Sequence, residues 1–178
     1  MPYKIFFVFI SAVAFLPGYV FAGNDYYGET PEFFYGGGIG FGTGDVEYVE
    51  LSPMIGLRFS PQFSAGANFT YRWRSDKRYG EDLETEDYGV TLFSRIHLSS
   101  EVYLQVEYEY LNYEFYTFPS METERSDFSS ILAGGGFSQP LGGNTYAYAT
   151  VLYNVDYDED ESPYDEPWVY RVGVSVGF

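Results

Sequence analysis

Apolar side chains recur at every second position from Phe33 onward, in segment after segment of about ten residues. Successive side chains of a strand point to opposite faces, so this period predicts strands with one apolar face. About ten residues is also the length of a tilted strand that crosses a bilayer. No apolar run after residue 22 reaches the roughly 20 residues that a membrane-spanning helix needs. Strands can cross hydrocarbon only as a closed barrel, because every backbone N–H and C=O must be paired there.

Eight such segments can be counted. They cover residues 33–42, 48–59, 63–74, 88–98, 102–110, 128–138, 145–155 and 168–178. The predicted fold class is therefore all-β, an eight-stranded antiparallel up-and-down transmembrane β-barrel. The alternation does not decide which face of the sixth and seventh segments points outward, since both faces of residues 145–153 are compatible with lipid.

The connections alternate between short turns and long polar loops, which predicts the topology. The short ones are residues 60–62, 99–101 and 139–144, and the long ones are residues 75–87, 112–127 and 156–167. Barrels of this kind have short periplasmic turns and longer extracellular loops. The connection at residues 43–47 is a short exception on the loop side. An even number of strands then places both termini on the periplasmic side.

The first 22 residues have the order of a secretory signal peptide. Lys4 precedes an apolar run over residues 5–16, and a Val20-x-Ala22 small-residue site follows Pro17 and Gly18. Cleavage after Ala22 would leave residues 23–178 as the barrel domain, with the strands starting near residue 33. The alternative is a retained N-terminal anchor, which the short apolar run disfavours. Export followed by barrel formation predicts the outer membrane as the location.

Eight charged residues fall on the faces that the alternation turns inward. They are Glu50, Arg58, Arg72, Arg74, Arg95, Glu107, Glu109 and Arg171. Eight strands enclose a bore that side chains just fill, so these charges are predicted to form a paired plug and not an open channel. A soluble lipocalin-like barrel would have to turn the apolar rows inward, and so many tyrosines and phenylalanines would overfill its bore.

Composition excludes several other classes. Aromatic residues make up 22% of the chain, a proportion that the interfacial girdles of a membrane barrel accommodate. The absence of cysteine rules out disulfides, an acylated cysteine and thiolate metal sites. A formal net charge of -17 rules out nucleic-acid binding by counterion release.

The end of the chain resembles the C-terminal β-signal of bacterial outer-membrane barrels, a terminal phenylalanine preceded by apolar residues at alternate positions. The matching residues are Tyr170, Val172, Val174, Val176 and Phe178. The mature chain is similar to the small eight-stranded outer-membrane barrels, which include OmpX/Ail-type proteins and the transmembrane domain of OmpA. This resemblance implies recognition by the barrel-assembly machinery, contact with outer-membrane lipid and lipopolysaccharide, and no cofactor. We expect no peptidoglycan-binding domain after the barrel, which would depart from full-length OmpA.

The acidic residues concentrate in the predicted outer loops, which hold 19 of the 26. We therefore expect a non-enzymatic surface barrel that presents residues 75–87, 112–127 and 156–167 for binding or adhesion. The run 156–161 lacks the glycine and the closing glutamate of an EF-hand, so loose bridging of divalent cations to lipopolysaccharide phosphates is the alternative to a solvated loop. No catalytic residue, cofactor or metal site is predicted.

Two other functions stay open at this point. The first is a narrow small-solute pore, which a plugged bore disfavours. The second is a lipid A-modifying enzyme, because His97 and Ser99 have the His-x-Ser spacing of PagL-type deacylases. Their predicted position at a periplasmic turn is wrong for chemistry in the outer leaflet.

Overall fold

A computed structural model describes residues 31–42, 44–77, 83–117, 122–159 and 162–177. The predicted signal peptide, its cleavage after Ala22 and the terminal Phe178 lie outside these residues. No helix in the described ranges is long and apolar enough to cross a membrane.

The described residues form eight strands in chain order. They are β1 (Glu32–Gly42), β2 (Val46–Ser60), β3 (Phe63–Asp76), β4 (Leu83–His97), β5 (Val102–Thr117), β6 (Glu122–Gly142), β7 (Thr145–Asn154) and β8 (Trp168–Val176). Each strand pairs antiparallel with the next, and β1 pairs antiparallel with β8. The sheet is therefore a closed up-and-down barrel, and the predicted fold class is confirmed.

The two faces of the strands separate as the period-two alternation predicts. Along β2, Val49, Leu51 and Ile55 are exposed on the outer wall, whereas Glu50 and Ser52 are buried in the bore. The same division settles the two strands whose faces the sequence left open. β6 turns Ser130, Leu132 and Ser138 inward and β7 turns Tyr148, Thr150, Leu152 and Asn154 inward.

Two predicted loops are mostly strand, and this corrects the loop boundaries. β4 begins at Leu83, inside predicted loop 75–87, and β5 and β6 remain paired up to Thr117 and Glu122, inside predicted loop 112–127. Polar residues are compatible with a strand where both faces contact water, so the apolar alternation ends before the backbone pairing does. By contrast, residues 156–167 contain no strand in their described part, as predicted.

Inward-facing glycines make room for large side chains on neighbouring strands. Gly56 is the cross-strand partner of Phe34, and a Cβ built on Gly56 would lie 2.3 Å from Phe34 Cζ. The same direct pairing joins Gly42 with Tyr48, Gly66 with Phe93, Gly136 with Tyr103, and Gly173 with Tyr148. A narrow bore can hold these rings only where the facing residue has no side chain.

The bore is filled in layers along its axis. The mouth layer, near the long loops, consists of Tyr48, Leu111, Leu132, Leu152, Tyr164 and Val169. The turn-end layer consists of Phe34, Met54, Phe93 and Tyr148. Along β2 the inward residues run from Tyr48 through Glu50 and Ser52 to Met54, so Glu50 lies between the two apolar layers.

Candidate functional site

The centre of the bore is an ion-pair network built from three separate parts of the barrel. Arg72 Nη2 lies 2.6 Å from Glu50 Oε2, and Arg171 Nε lies 3.1 Å from Glu50 Oε1. Arg171 also pairs with Glu107, and its Nη2 lies 3.3 Å from Glu109 Oε1. All five side chains are at least 95% buried, so each charge depends on its partners for solvation.

The other predicted interior charges extend this network towards both ends. On the turn side, Arg95 donates to Gln105, which donates to Glu107. On the mouth side, Arg74 Nη2 lies 3.4 Å from Asp87 Oδ1. Arg58, near the turns, is only half-buried.

The buried charges of the described residues balance. They comprise four arginines, Arg72, Arg74, Arg95 and Arg171, and four carboxylates, Glu50, Asp87, Glu107 and Glu109. Sequence reasoning missed Asp87 because it placed this residue in loop 75–87. The sequence pattern that could have predicted its burial is the alternation that continues through residues 83–87. In the structure Leu83, Thr85 and Asp87 are buried, while Glu84 and Glu86 are exposed.

The segment between β7 and β8 folds into the mouth, which the sequence did not predict. Its residues Ser162, Pro163 and Tyr164, here called the mouth plug, are all buried. The Tyr164 hydroxyl donates to Glu109 Oε2 at 2.5 Å and accepts a hydrogen bond from Arg72 Nη2 at 2.6 Å. Burial raises the pKa of the Tyr164 phenol well above its usual range.

Three further contacts hold the mouth plug in place. The Arg72 guanidinium contacts two rings, with its Cζ 4.6 Å from the Tyr48 centroid and 4.5 Å from the Tyr164 centroid. Arg74 donates to the Pro163 carbonyl oxygen at 3.3 Å. The Tyr157 hydroxyl donates to the carbonyl oxygens of Tyr164 and of Asp165, the latter at 2.8 Å. A loop predicted to be solvated thus contributes a side chain to the bore.

Four of the five residues of the proposed β-signal, Tyr170, Val172, Val174 and Val176, lie on β8, and Phe178 lies outside the described residues. Tyr170, Val172 and Val174 are exposed on the outer wall, and Val176 is half-buried where β8 ends. Their backbone pairs with β1 on one side and β7 on the other, so β8 closes the barrel.

His97 and Ser99 both line a cavity at the turn end of the barrel. His97 Nε2 lies 3.2 Å from Ser64 Oγ. Ser99 Oγ instead accepts hydrogen bonds from the backbone N–H groups of Glu101 and Val102, at 3.2 and 3.1 Å. Ser99 therefore stabilises the turn between β4 and β5.

The outer rim carries exposed acids held by tyrosines. Tyr71 and Tyr88 donate to the two oxygens of Glu86, at 3.1 and 2.7 Å. Arg125 lies beside this group, with its guanidinium 5.0 Å from the Tyr88 ring centroid and 3.8 Å from Glu114. Within the described ranges, no group of three or more His, Cys, Asp or Glu residues is placed to hold a metal ion.

Comparison with known proteins finds similarity in structure but not in sequence. No protein-family model matches the chain, and no curated protein matches it in sequence. The N-terminal β-barrel domain of Pseudomonas aeruginosa OprF is similar in structure, with a TM-score of 0.50 and 11% identity over 84% of this chain and 100% of that one. Ail of Yersinia pestis has a TM-score of 0.47 and 16% identity over 83% and 97% of the two chains. A de novo designed transmembrane β-barrel has a TM-score of 0.41 and 10% identity over 83% and 97%.

The likeness to the OprF domain agrees with the ring of eight antiparallel strands and with the apolar outer wall. At 11% identity it concerns the fold alone. The chain has the fold of the eight-stranded transmembrane β-barrels.

Proposed function

We propose that this chain is an integral outer-membrane protein without enzymatic activity, which stabilises the envelope and presents an acidic, tyrosine-rich surface for binding or adhesion. In this proposal residues 1–22 are a signal peptide, residues 23–178 form the barrel domain, and both termini are periplasmic. The β-signal at Tyr170, Val172, Val174, Val176 and Phe178 serves recognition by the barrel-assembly machinery.

The observation that carries the proposal is the division of the barrel into an apolar outside and a charged inside. Side chains such as Leu51, Leu92 and Val172 are about half exposed on the outer wall. Water would be a poor solvent for a continuous wall of this kind, whereas acyl chains suit it. The four buried arginines and four buried carboxylates require an interior from which lipid is excluded.

The acidic rim supports the surface role. Exposed carboxylates on β4 and β6, such as Glu84, Glu122 and Glu124, extend above the apolar wall. Divalent cations can bridge such carboxylates to lipopolysaccharide phosphates. The paired extension of β5 and β6 raises the rim, giving a partner a firm surface to contact.

The two other functions have less support. A small-solute pore needs an open path, but the mouth plug, the ion-pair network and the two apolar layers fill the bore. A lipid A-modifying enzyme would act in the outer leaflet, whereas the cavity that His97 and Ser99 line is at the turn end of the barrel, the end that this proposal places in the periplasm.

Fractionation tests the location. The full chain, expressed in a Gram-negative host, should appear in the outer-membrane fraction and migrate differently in electrophoresis with and without boiling. Recovery in the soluble fraction, or identical migration of the folded sample, would refute an integral barrel.

A charge-matched pair of variants tests the surface role. Cells that display a Glu122→Gln, Glu124→Gln double variant should differ from cells with the parent chain in attachment to host-cell matrix or in sensitivity to divalent-cation chelation. The control is a Glu32→Gln, Glu101→Gln double variant, which removes two exposed acids at the turn end of the barrel. Equal behaviour of the parent, rim and turn-end variants in both assays would contradict the surface role.

A further inference from the structure

The upper part of β6, near the rim, has a strand partner on one side only. On its β5 side the pairing continues to Glu122, where β6 begins. On its β7 side the pairing ends at Leu132 and Asn154. One backbone hydrogen bond follows, from the Val155 N–H to the Ile131 carbonyl oxygen at 2.9 Å. Above Ile131, no described residue pairs through its backbone with β6 on this side.

The direction of the Ile131 backbone identifies the groups that are left open. Its carbonyl oxygen accepts from Val155 and its N–H donates to Asp156 Oδ1 at 2.9 Å, so both groups point to the β7 side. In an antiparallel ladder, residues whose backbone groups point to one neighbour alternate with residues whose groups point to the other. Alternate residues above Ile131 therefore direct their N–H and C=O groups away from β5. These residues, here called the open edge, are Thr123, Arg125, Asp127 and Ser129.

The open edge is held in place from its β5 side. Arg125 donates to the side chain and the carbonyl oxygen of Asn112 at 2.6 and 3.0 Å. Asn112 in turn donates to Asp127 Oδ1 at 3.0 Å. Both charged side chains of the open edge are thus bonded towards β5, and all four of its residues are exposed. The open edge spans about 20 Å of strand, and unpaired backbone groups along a strand are a template for another strand.

Two glutamates determine which added strand would fit. Glu122 and Glu124 alternate with the open-edge residues, so they occupy non-hydrogen-bonded positions relative to a strand added there. Side chains across such a position come closest, with Cα atoms about 4.5 Å apart. Both glutamates are exposed. Because opposite charges across a pair of strands are stabilising and like charges are destabilising, an added strand with a basic residue opposite each glutamate is favoured.

We infer that the open edge binds an extended segment of a partner protein by antiparallel β-strand addition, with basic residues at the two alternate positions opposite Glu122 and Glu124. In this mode of recognition the backbone hydrogen bonds give affinity and the alternate side chains give specificity. Antiparallel pairing is the more stable arrangement per residue. The inference deepens the proposed function and rests on it only in that the open edge then faces the outside of the cell.

A blocked eight-residue peptide of valine and threonine, with lysine at positions six and eight, is the probe. Placed antiparallel with its first residue opposite Ser129, it brings its lysines opposite Glu124 and Glu122. The full chain, refolded in detergent, is titrated into the fluorescently labelled peptide at constant ionic strength. A saturable rise in fluorescence anisotropy is expected. A linear rise without saturation would overturn the inference.

Two N-methylated forms of the peptide distinguish backbone pairing from charge attraction. Methyl groups at positions three, five and seven replace the N–H groups that face Asp127, Arg125 and Thr123. This form should bind at least about tenfold more weakly, because three hydrogen bonds are lost. Methyl groups at positions two, four and six point away from β6, so this matched form should bind like the parent peptide. Equal binding of the two forms would contradict strand addition.

Charge reversal on the protein tests the specificity. A Glu122→Lys, Glu124→Lys double variant should bind the lysine peptide at least about fivefold more weakly and its glutamate counterpart more tightly by a similar factor. The control is a Glu32→Lys, Glu101→Lys double variant, which makes the same change of charge at the turn end of the barrel. It should leave both affinities unchanged. An equal response of the two double variants would show that the glutamates beside the open edge do not select the partner.

A proline on the open edge tests the occupant. Ser129→Pro removes an N–H that points away from β5, and proline is tolerated on such an edge. It should weaken peptide binding about fivefold, while the variant still migrates differently with and without boiling. Self-association of the parent chain in sedimentation, abolished by Ser129→Pro, would assign the open edge to a second copy and overturn the inference. Failure of the titrations would leave the fractionation result unaffected, so the two proposals fail separately.

Discussion

Arg171 shows how much one buried charge determines in this barrel. It contacts carboxylates from β2 and β5, namely Glu50, Glu107 and Glu109. Its position on an inward face follows from the alternation of β8. The identity of its three partners does not follow from the alternation, since a period of two predicts the face on which a residue lies and not its neighbours across the bore.

Arg171→Met should lower the free energy of unfolding by about 3–5 kcal/mol, because three buried carboxylates lose a shared partner. The measurement is urea unfolding of the refolded chain in lipid vesicles. Arg125→Met, which removes an exposed arginine at the rim, is the control and should change stability little. An equal loss of unfolding free energy in both variants would show that the buried arginine contributes no more to stability than the exposed one.

Several glycine residues inside the bore, Gly56 among them, leave room for an aromatic ring on the neighbouring strand. Gly56→Ala should destabilise the barrel by about 1–3 kcal/mol, because the added Cβ overlaps the Phe34 ring. Gly37→Ala is the matched control, since its Cβ would lie 3.4 Å from Pro53 Cα, an ordinary contact. The same unfolding assay distinguishes them, and a Phe34→Leu, Gly56→Ala double variant should recover part of the loss. Equal destabilisation by Gly37→Ala would contradict this account.

The elements differ in how well their ends could be predicted. All eight strands have a counterpart in the alternation, and β7 differs from its predicted bounds by one residue. β5 and β6 extend far beyond theirs, to Thr117 and from Glu122. Above the apolar wall neither face of the hairpin meets lipid, so the sequence there reads as a loop although the backbone is paired.

The mouth plug is the element whose chemistry is easiest to isolate. Tyr164→Phe should cost about 1–3 kcal/mol of stability, because Glu109 and Arg72 each lose a buried hydrogen-bond partner. Tyr116→Phe, on the exposed hairpin, should be nearly neutral. A neutral Tyr164→Phe variant would show that the mouth plug is not anchored through its hydroxyl.

Alkaline pH should distinguish the parent chain from the Tyr164→Phe variant by the pH dependence of the free energy of unfolding. The folded state raises the pKa of Tyr164, so its contribution to stability is complete below the unfolded pKa of about 10 and is lost as pH rises above it. Between pH 10 and 12 the unfolding free energy of the parent should fall more steeply than that of Tyr164→Phe, by up to about 1.4 kcal/mol per pH unit. Parallel pH profiles would contradict the buried, neutral phenol.

At the scale of the whole molecule, the distribution of polarity is the reverse of a soluble barrel. Leu92 lies in the middle of β4 on the outer wall and is 49% exposed. Leu92→Arg should lower stability in vesicles by about 2–4 kcal/mol, the cost of an arginine at the bilayer midplane. Val155→Arg, just beyond the end of β7, should cost about 0–1 kcal/mol. A solvated outer wall would show no such depth dependence.

The sequence by itself determined the strand count, the closed antiparallel fold and the faces of most strands, because the pleat gives each residue its side and lipid demands an apolar one. Only the tertiary structure decided which charges meet, that Asp87 joins them, and that Tyr164 enters the bore. These contacts join residues as distant as Glu50 and Arg171, 121 positions apart. They depend on strand register and barrel closure, which bring together side chains that no local pattern relates.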